Sequence, residues 1–544
     1  IGAFAIGLYA EGVAVMLFYT VGELFQDAAV GRSKKNIQSL LDKRSKVAHV
    51  LNNGKYHDVD PEQILIGDII QVKAGEQVPL DGILLNDSAY FDTSALTGES
   101  KPKTIYRNEM VLAGMISINQ VLEIEVQKKF VDSSFARIYG LIQSALTHKA
   151  PTELFIRKFA EVYTPIVVLF ACLLVGLPYF FFENYSFNDW LYRALIFLVV
   201  SCPCALVISI PLGYFGGIGA ASRNGILFKG SNYLDLIGKV DAIVFDKTGT
   251  LTEGIFKVRE LVIHNFDRDK FLQIITAIET TSNHPIAKAI KDYFGENSNE
   301  ISLREVKEFP GEGLQGVIDG KDILVGNSKL MNRFGVDLPH DIRNNAKTLV
   351  IVSFKHEYIG HLVIDDVIKP DAKSIIKKVS QLGVRKNYIL SGDRTEIVKN
   401  VASEIGVNLF FGDLLPDQKM QKLSEIKKEN KIVAFVGDGI NDAPALALSD
   451  IGISMGALGS DVAIETANVV IQTDQLSKIV TAIKIGLATK KIVWQNITLA
   501  FTVKLIVLSL GAFGLATMWE AVFADVGVAL LAIANAVRIQ HSKF

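Results

Sequence analysis

A carboxylate at the end of a short apolar run is the first feature of the sequence that could do chemistry. The run is VDAIVF, residues 240–245, and the string DKTGTLT follows it, beginning at Asp246. Such a run predicts a strand that is buried on both faces of a parallel sheet. Ligands of open α/β sheets lie beyond the carboxyl ends of the strands, so we expect Asp246 to face a site. An aspartate in an ordinary strand-to-loop turn is the alternative interpretation.

Three more apolar runs end in aspartates and predict further carboxylates at the same edge. They are HLVIDD, where we expect the parallel sheet to resume, NYILSGD and KIVAFVGDGIND, at residues 361–366, 387–393 and 431–442. Carboxylates that gather around Asp246 repel one another unless a cation neutralises them. The sequence therefore predicts a bound Mg²⁺ at this edge.

The string Cys202-Pro203-Cys204 lies inside an apolar stretch. Residues two apart on a regular helix point to nearly opposite sides, but Pro203 removes a backbone donor and lets both sulfurs turn to a common point. Non-helical backbone at membrane depth is tolerated where it lines a cavity inside the protein. Two thiolates suit a soft or borderline metal ion. Two buried cysteines beside a kink are the alternative.

Three of the ionisable residues inside the apolar stretches are candidates for function, because an isolated charge there is costly. Lys504 and Asp525 occur in the last two stretches, and we expect them to face the interior of a helix bundle and one another or an ion. A lysine that reaches to the interface is the alternative for Lys504. Glu11 interrupts the first stretch and is either functional or close to the outer surface.

Five apolar stretches are expected to cross a bilayer, which takes about 20 residues. They cover residues 1–25, 160–182, 190–214, 492–515 and 518–540. Lysines and arginines flank the ends that we expect in the cytosol, and the connection ENYSFNDW carries neither, which predicts an outside position. The chain begins inside the first stretch, and we expect it to be part of a longer protein.

The composition agrees with membrane spans joined to soluble domains. Of the 544 residues, 49% are hydrophobic and 21% are charged, and the chain is too long for a single core. The formal net charge of −2 gives no reason to expect a nucleic-acid partner. The three cysteines predict no disulfide framework. Short alternating runs indicate β-structure in residues 47–135, and residues 256–360 form an insertion after Asp246.

The heptapeptide DKTGTLT resembles the phosphorylation motif of the P-type ATPases. The resemblance implies that Asp246, in a catalytic site with Thr248, is the nucleophile that takes the γ-phosphate of ATP. The string PDQK, which ends at Lys419, is similar to a family loop whose lysine stabilises charge on the transferred phosphoryl group. GDGINDAPAL is similar to the family's hinge motif, which implies that Asp438, with Asp442 beside it, binds Mg²⁺.

Two further regions extend the resemblance. Thr97, Gly98 and Glu99 begin a TGES string that is similar to the family's actuator loop, where the glutamate positions the water that hydrolyses the aspartyl phosphate. The insertion contains pieces that are similar to the nucleotide-binding domain and would surround adenine and ribose. Their residues are Glu279, His284, Gly311, Gly313 and Asn327.

The string Cys-Pro-Cys in the span before DKTGTLT is similar to the heavy-metal-transporting subgroup of this family. A lysine in the fifth transport span and Asp-x-Gly in the sixth resemble its zinc, cadmium and lead branch. The resemblance implies a membrane site for Zn²⁺, Cd²⁺ or Pb²⁺ that is made of Cys202, Cys204 and Asp525, with Lys504 and Glu11 beside it.

We therefore expect a multidomain membrane protein. It would combine an α-helical transmembrane bundle, a β-rich actuator domain, a haloacid-dehalogenase-like α/β phosphorylation domain and an inserted α+β nucleotide-binding domain. The expected boundaries are 1–25 for the first span, 26–150 for the actuator domain with linking helices, 155–215 for two spans with the cysteine site, 216–255 and 361–480 for the phosphorylation domain, 256–360 for the nucleotide-binding domain, and 485–544 for two last spans.

The resemblance predicts ATP-driven metal export by a monomer in the plasma (bacterial inner) membrane, with the soluble domains in the cytosol. Three alternatives are a Cu⁺ pump of the same fold, a membrane-tethered phosphatase of the haloacid-dehalogenase type, and a non-catalytic metal receptor. Such phosphatases carry a second Asp where this chain has Thr248. A receptor would not need intact motifs for ATP use and hydrolysis.

Overall fold

The computed structural model describes most of the chain outside the first 46 residues. The described residues are 47–52, 54–93, 102–134, 136, 151–201, 204–282, 285–295, 303–309, 312–318, 320–343, 348–438, 442–456 and 461–544, with scattered positions between 4 and 31. The chain forms two compact units. One consists of Ile1–Val240 with Ile451–Phe544, and the other of Asp241–Asp450.

Short strands form the first soluble part of the first unit, as the alternating pattern predicts. Strands β1 to β9 are Ala48–Asn52, Lys55–Val59, Ile69–Val72, Gly82–Leu84, Ser88–Asp92, Lys103–Tyr106, Met110–Val111, Ile116–Ser117 and Leu122–Val126. Six of them form an antiparallel sheet in the order β2-β1-β3-β9-β4-β7, and β5 pairs with β6 and β8. Apolar side chains of both sheets meet in one core, which includes Val72, Phe91 and Ile124.

Long apolar helices follow this β-rich part. Helices α1 to α3 are Pro151–Gly176, Phe187–Val200 and Cys204–Arg223. Within the described residues, α2 ends at Val200 and α3 begins at Cys204. Cys202 and Pro203, and with them the predicted kink, lie outside the described residues. A short strand β10, Ile226–Phe228, and a short helix α4, Ser231–Ile237, complete this part of the first unit.

The second unit contains ten strands and eight helices within its described residues. In chain order they are β11 Ala242–Asp246, β12 Thr252–Ile263, α5 Arg268–Glu279, α6 Pro285–Phe294, β13 Leu303–Phe309, β14 Gly313–Ile318, β15 Lys321–Gly326, α7 Ser328–Arg333, α8 His340–Arg343, β16 Thr348–Phe354, β17 Glu357–Ile368, α9 Ala372–Gln381, β18 Lys386–Leu390, α10 Thr395–Ile405, β19 Leu409–Phe411, α11 Pro416–Glu429, β20 Val433–Gly437 and α12 Ala443–Leu448.

Asp246, the first residue of DKTGTLT, ends one of four parallel strands of this unit. Their order is β20-β11-β18-β19. All five residues of β11 are buried, as expected for a strand that is covered on both faces. The register pairs Asp246 with Leu390, which brings the carboxyl ends of β11, β18 and β20 to one edge.

A six-stranded antiparallel sheet in the order β12-β17-β16-β15-β14-β13 forms the insertion. Side chains of α5 and α6, such as Phe271 and Ile290, pack with Ile323 and Val352 of this sheet. The run HLVIDD lies in β17, which pairs with β12 and β16. The expectation that the parallel sheet resumes there is wrong, and it resumes at β18. A short apolar run does not distinguish a parallel from an antiparallel strand when both are buried.

The chain then returns to the first unit and ends in two long helices. The elements are β21 Ile451–Met455, α13 Asp461–Thr466, β22 Val469–Ile471, α14 Ser477–Ala512 and α15 Met518–Arg538. Strand β22 pairs in parallel with β21 and antiparallel with β10. Because α14 begins at Ser477, the predicted span 492–515 corresponds to the later part of a 36-residue helix.

Four helical segments of the described chain are long and apolar enough to cross a membrane. They are Glu161–Phe180, Phe187–Arg223, Ser477–Ala512 and Met518–His541, and Val15–Leu24 is a shorter apolar helix.

Candidate functional site

Asp246 lies at the carboxyl end of β11, at the start of a tight turn. The turn needs a positive φ of 72° at Gly249, which a residue without a side chain adopts at little cost. A Cβ at position 249 would lie 3.6 Å from the Asp438 carboxylate, so the end of β20 approaches this turn. The Gly249 N–H donates to Thr252 Oγ1 at 3.1 Å, and Thr252 donates to Asp366 Oδ2 at 2.5 Å.

Lys419 connects two carboxylates of this site. Its Nζ donates to Asp246 Oδ1 at 2.7 Å and to Asp442 Oδ1 at 2.5 Å. Lys419 lies in the first turn of α11, and Asp442 directly precedes α12. The sequence-predicted residues Asp246, Lys419 and Asp442 are therefore in direct contact.

The electrostatics of this cluster keep the nucleophile candidate close to protonation. Burial, followed by repulsion from Asp442, raises the pKa of Asp246 to about 7, although Lys419 opposes the shift. Burial alone would lower the pKa of Lys419, but the carboxylates of Asp246 and Asp442 outweigh it and raise that pKa. A further cation near Asp246 would therefore favour the ionised carboxylate.

The carboxylates fit the way in which proteins bind Mg²⁺ together with a phosphate substrate. Such sites use one or two carboxylates, and water and phosphate oxygens complete the coordination. Asp246 and Asp438 approach the same turn and supply hard oxygen ligands. Among the described residues, no group of three or more His, Cys, Asp or Glu side chains is arranged to hold a metal ion by itself. Two carboxylates together with the oxygens of a bound phosphate would match this pattern.

Further contacts hold the turn, and they involve Asp366 and Asp393, which the sequence predicts at this edge without predicting their partners. Lys247 forms an ion pair with Asp393 and is buried. The Lys369 N–H donates to Leu251 O at 3.0 Å, and Thr252 contacts Asp366 as described above. Thr248, which the resemblance places in the catalytic site, is half-buried in the same turn. The aspartates at the strand ends were the available signal, but their partners are 114 and 146 residues away in the sequence.

The insertion contains a cavity of about 210 Å³. Its lining includes three of the predicted residues, Glu279, Gly313 and Asn327, and no lysine or arginine among the residues that the structure describes there. Asn327 also caps α7 by accepting from the N–H groups of Lys329 and Leu330 at 2.9 and 3.3 Å. Apolar side chains such as Ile286, Leu314 and Val350 also line the cavity and suit the uncharged part of a nucleotide.

Glu279 is an unusual member of this lining. Its side chain is only 5% exposed at the end of α5. Burial raises its pKa to about 7, although Lys291 opposes the shift. Gly313 and Gly326 face each other in paired strands, and a Cβ at either position would overlap the opposite backbone. The two glycines therefore allow the backbones of β14 and β15 to approach closely beside the cavity.

The first unit contains a buried ion pair between two long helices. Lys504 of α14 donates to Asp525 Oδ1 of α15 at 2.7 Å and to Val200 O, at the end of α2, at 2.6 Å. The two residues are 7% and 6% exposed. Lys504 therefore does not reach to an interface, and its charge lies beside the helix end that precedes Cys202.

Several predicted site residues lie outside the described residues. They are Glu11, Thr97, Gly98, Glu99, Cys202, His284 and Gly311, and for Cys204 only the backbone, at the start of α3, is described. Their roles stay predictions.

Comparison with known proteins identifies the family. Residues 240–450 match the model of haloacid dehalogenase-like hydrolases, and residues 42–143 match that of the P-type ATPase actuator domain. The cadmium, zinc and cobalt-transporting ATPase of Bacillus subtilis (strain 168) is 47% identical over 100% of this chain and 78% of the relative. The zinc-transporting ATPase of Synechocystis sp. (strain ATCC 27184 / PCC 6803 / Kazusa) is 46% identical over 99% of this chain and 75% of the relative. The chain belongs to the heavy-metal-transporting P-type ATPases.

A solved structure supports the same assignment. The crystal structure of a zinc-transporting PIB-type ATPase in the E2.Pi state has a TM-score of 0.64 and 34% sequence identity, over 99% of this chain and 89% of that chain. The match to haloacid dehalogenase-like hydrolases covers the unit with Asp246. The resemblance to such phosphatases is therefore correct for this unit of the chain. The actuator match and the full-length relatives exclude a phosphatase as the whole protein.

Proposed function

We propose that this P-type ATPase exports Zn²⁺, and also Cd²⁺ and Pb²⁺, from the cytosol through an aspartyl-phosphate intermediate. The observation that carries the choice of ion is the buried Lys504–Asp525 pair beside the end of α2. A carboxylate together with the thiolates of Cys202 and Cys204 suits a borderline divalent ion. The Bacillus and Synechocystis relatives carry zinc in their names, which supports this ion.

Asp246 is the residue that reacts. One of its carboxylate oxygens forms a bond to the γ-phosphorus of ATP, the bond from that phosphorus to the bridging oxygen breaks, and ADP leaves. Lys419 contacts this carboxylate and would also stabilise negative charge on the transferred group. Mg²⁺, held by Asp246 and Asp438, would supply the cation that neutralises the phosphate oxygens.

The other parts of the chain supply binding and hydrolysis. The cavity with Glu279, Gly313 and Asn327 would take adenine and ribose, because apolar side chains make up much of its lining. Glu99 would position the water that hydrolyses the aspartyl phosphate after the metal has left on the outside. Lysines and arginines flank the spans on the side of the soluble domains, which supports a cytosolic position for these domains in the plasma (bacterial inner) membrane. We propose that one chain suffices for transport.

The test is ATP hydrolysis by the purified chain with a panel of metal ions. We expect stimulation by Zn²⁺, Cd²⁺ and Pb²⁺ and none by Cu⁺. Asp246→Asn serves as the inactive control, because an amide is a far weaker nucleophile than a carboxylate and should form no acid-stable phosphoenzyme. Stimulation by Cu⁺ alone would reject the proposed ion but keep the mechanism. Acid-stable ³²P incorporation in Asp246→Asn would reject the nucleophile.

A further inference from the structure

A buried carboxylate in the first unit takes no part in the chemistry described above. Asp235 lies on the short helix α4 and is only 3% exposed. Tyr214 of α3 donates its hydroxyl to Asp235 Oδ1 at 3.2 Å, and Lys239 Nζ lies 2.5 Å from Asp235 Oδ2. Burying a carboxylate is costly unless it is paired. The Tyr214 contact joins α4 to α3, and the ion pair with Lys239, four residues on, completes the pairing of the same carboxylate.

Tyr214 lies on the helix that begins with Cys204, and Lys239 lies just before the strand that ends in Asp246. Tyr214 is ten residues after Cys204 on one continuous helix, which corresponds to about 15 Å along the axis. Lys239 follows the end of α4, and β11, which ends in Asp246, begins three residues later. Lys239 is followed by Val240, the last residue of the first unit before the second unit begins.

Helix α4 is also fixed by close contacts with two membrane helices. A Cβ at Gly217 of α3 would lie 2.7 Å from the Leu234 side chain, and a Cβ at Gly486 of α14 would lie 3.0 Å from Leu234 O. Leu234 itself is fully buried. There is no space between α4 and these helices, and α14 is the helix that carries Lys504. A shift of either membrane helix must therefore move α4 with it.

We propose that Asp235 is a positioning residue that couples the metal-carrying helix α3 to the strand that ends in Asp246, through its buried contact with Tyr214 and its ion pair with Lys239, whose side chain is exposed. This inference rests on the proposed function, since it explains how metal occupancy controls phosphorylation. We call Tyr214, Asp235 and Lys239 the Asp235 clamp. Without the clamp, metal still binds among the membrane helices, but α4 no longer passes the change on to β11.

The experiment compares metal binding and phosphorylation in the same purified full-length samples. Tyr214→Phe keeps the buried ring and removes only the hydroxyl, and Asp235→Asn removes only the charge. We measure Zn²⁺ bound per chain after equilibrium gel filtration, and acid-stable phosphoenzyme from [γ-³²P]ATP with and without Zn²⁺. Both variants should bind Zn²⁺ like the wild type, while the ratio of phosphoenzyme with Zn²⁺ to that without falls by about 5-fold or more.

The controls separate coupling from a purely structural role. Tyr185→Phe removes another partly buried tyrosine hydroxyl, which donates to Val175 O at 2.9 Å far from the clamp, and should keep the wild-type ratio. Asp235→Glu, which keeps the charge, should restore part of the ratio. A wild-type ratio in both clamp variants would overturn the inference, and so would a parallel loss of Zn²⁺ binding and phosphorylation in Tyr214→Phe. A wild-type chain whose phosphorylation ignores Zn²⁺ would instead overturn the proposed function and, with it, the inference.

Discussion

At the scale of single residues, burial is the main reason why two carboxylates are kept near neutrality. Asp246 and Glu279 both have a pKa raised to about 7, and burial is the main cause in each. Asp246 contacts a lysine and would meet a phosphate with its cation in the proposed function. Glu279 faces a cavity without lysine or arginine in its described lining. The same rise in carboxyl pKa therefore occurs in two different sites.

The raised pKa of Glu279 predicts a pH-dependent stability of the nucleotide-binding insertion. The unfolded chain releases this proton near pH 4.5 and the folded chain near pH 7, so the folded state binds more protons between these values and stability falls as the pH rises through them. Glu279→Gln stays neutral at every pH. It should stabilise the nucleotide-free insertion by up to about 3 kcal/mol at pH 8, and by clearly less at pH 5.

Hydrogen exchange of the α5 and β14 amides in the full chain measures the difference in stability between Glu279→Gln and the wild type. Each variant is compared with the wild type at the same pH. Glu357→Gln, at an exposed position of the same sheet, is the matched control and should change little. Equal protection in Glu279→Gln and wild type at pH 8 would show that Glu279 is not buried with a raised pKa.

At the scale of elements, the pattern of the sequence predicts strand β11 because a continuous apolar run needs burial on both faces. The kink expected at Pro203 stays a prediction. The pairing of β17 could not be predicted in this way. Its partners β12 and β16 are chosen by tertiary packing, and the buried run HLVIDD fits either kind of sheet.

The site shows the same limit. The string DKTGTLT indicates Asp246, but the ion pair of Lys247 with Asp393 joins residues 146 positions apart. The sequence predicts that Lys504 and Asp525 face one another or an ion because isolated charges are costly in a bilayer, and this argument needs no detailed geometry. The contact of Lys504 with Val200 O depends on where α2 ends, which the composition of the helix does not reveal.

The contact between helices α14, α15 and α2 predicts a role for Lys504 in metal release. With two thiolates, Asp525 and Lys504, the empty site carries a charge of about −2, and Zn²⁺ brings it to about zero. Lys504 stabilises the emptied site, so Lys504→Ala should release Zn²⁺ more slowly and lower the turnover. Metal off-rates from a fluoride-trapped state measure the effect.

Lys491→Ala is the matched control, since Lys491 lies on the same helix α14 but is exposed, and it should leave release unchanged. Unchanged release and turnover in Lys504→Ala would mean that the lysine is not a counter-ion for the metal site.

At the scale of the whole molecule, one reaction cycle draws on both units of the chain. The predicted metal ligands and the predicted actuator loop belong to the first unit, and Asp246 and the cavity proposed for the nucleotide belong to the second. Phosphorylation and dephosphorylation should therefore be separable by mutation. A change in the second unit at Asp246 should prevent the phosphoenzyme, whereas a change in the predicted actuator loop should act only after it has formed.

Glu99→Gln provides this last test. The amide keeps the shape of the side chain but cannot accept the proton of the attacking water, so the phosphoenzyme should form with Zn²⁺ and then persist. Turnover should fall by about 10²-fold or more, the effect of removing a general base. The measurement is the decay of ³²P-labelled chain after a chase with unlabelled ATP. Glu109→Gln, in an exposed turn of the same β-rich domain, is the control and should decay at the wild-type rate. Wild-type decay in Glu99→Gln would reject the actuator role, and a failure to form phosphoenzyme would place Glu99 before the phosphoryl transfer.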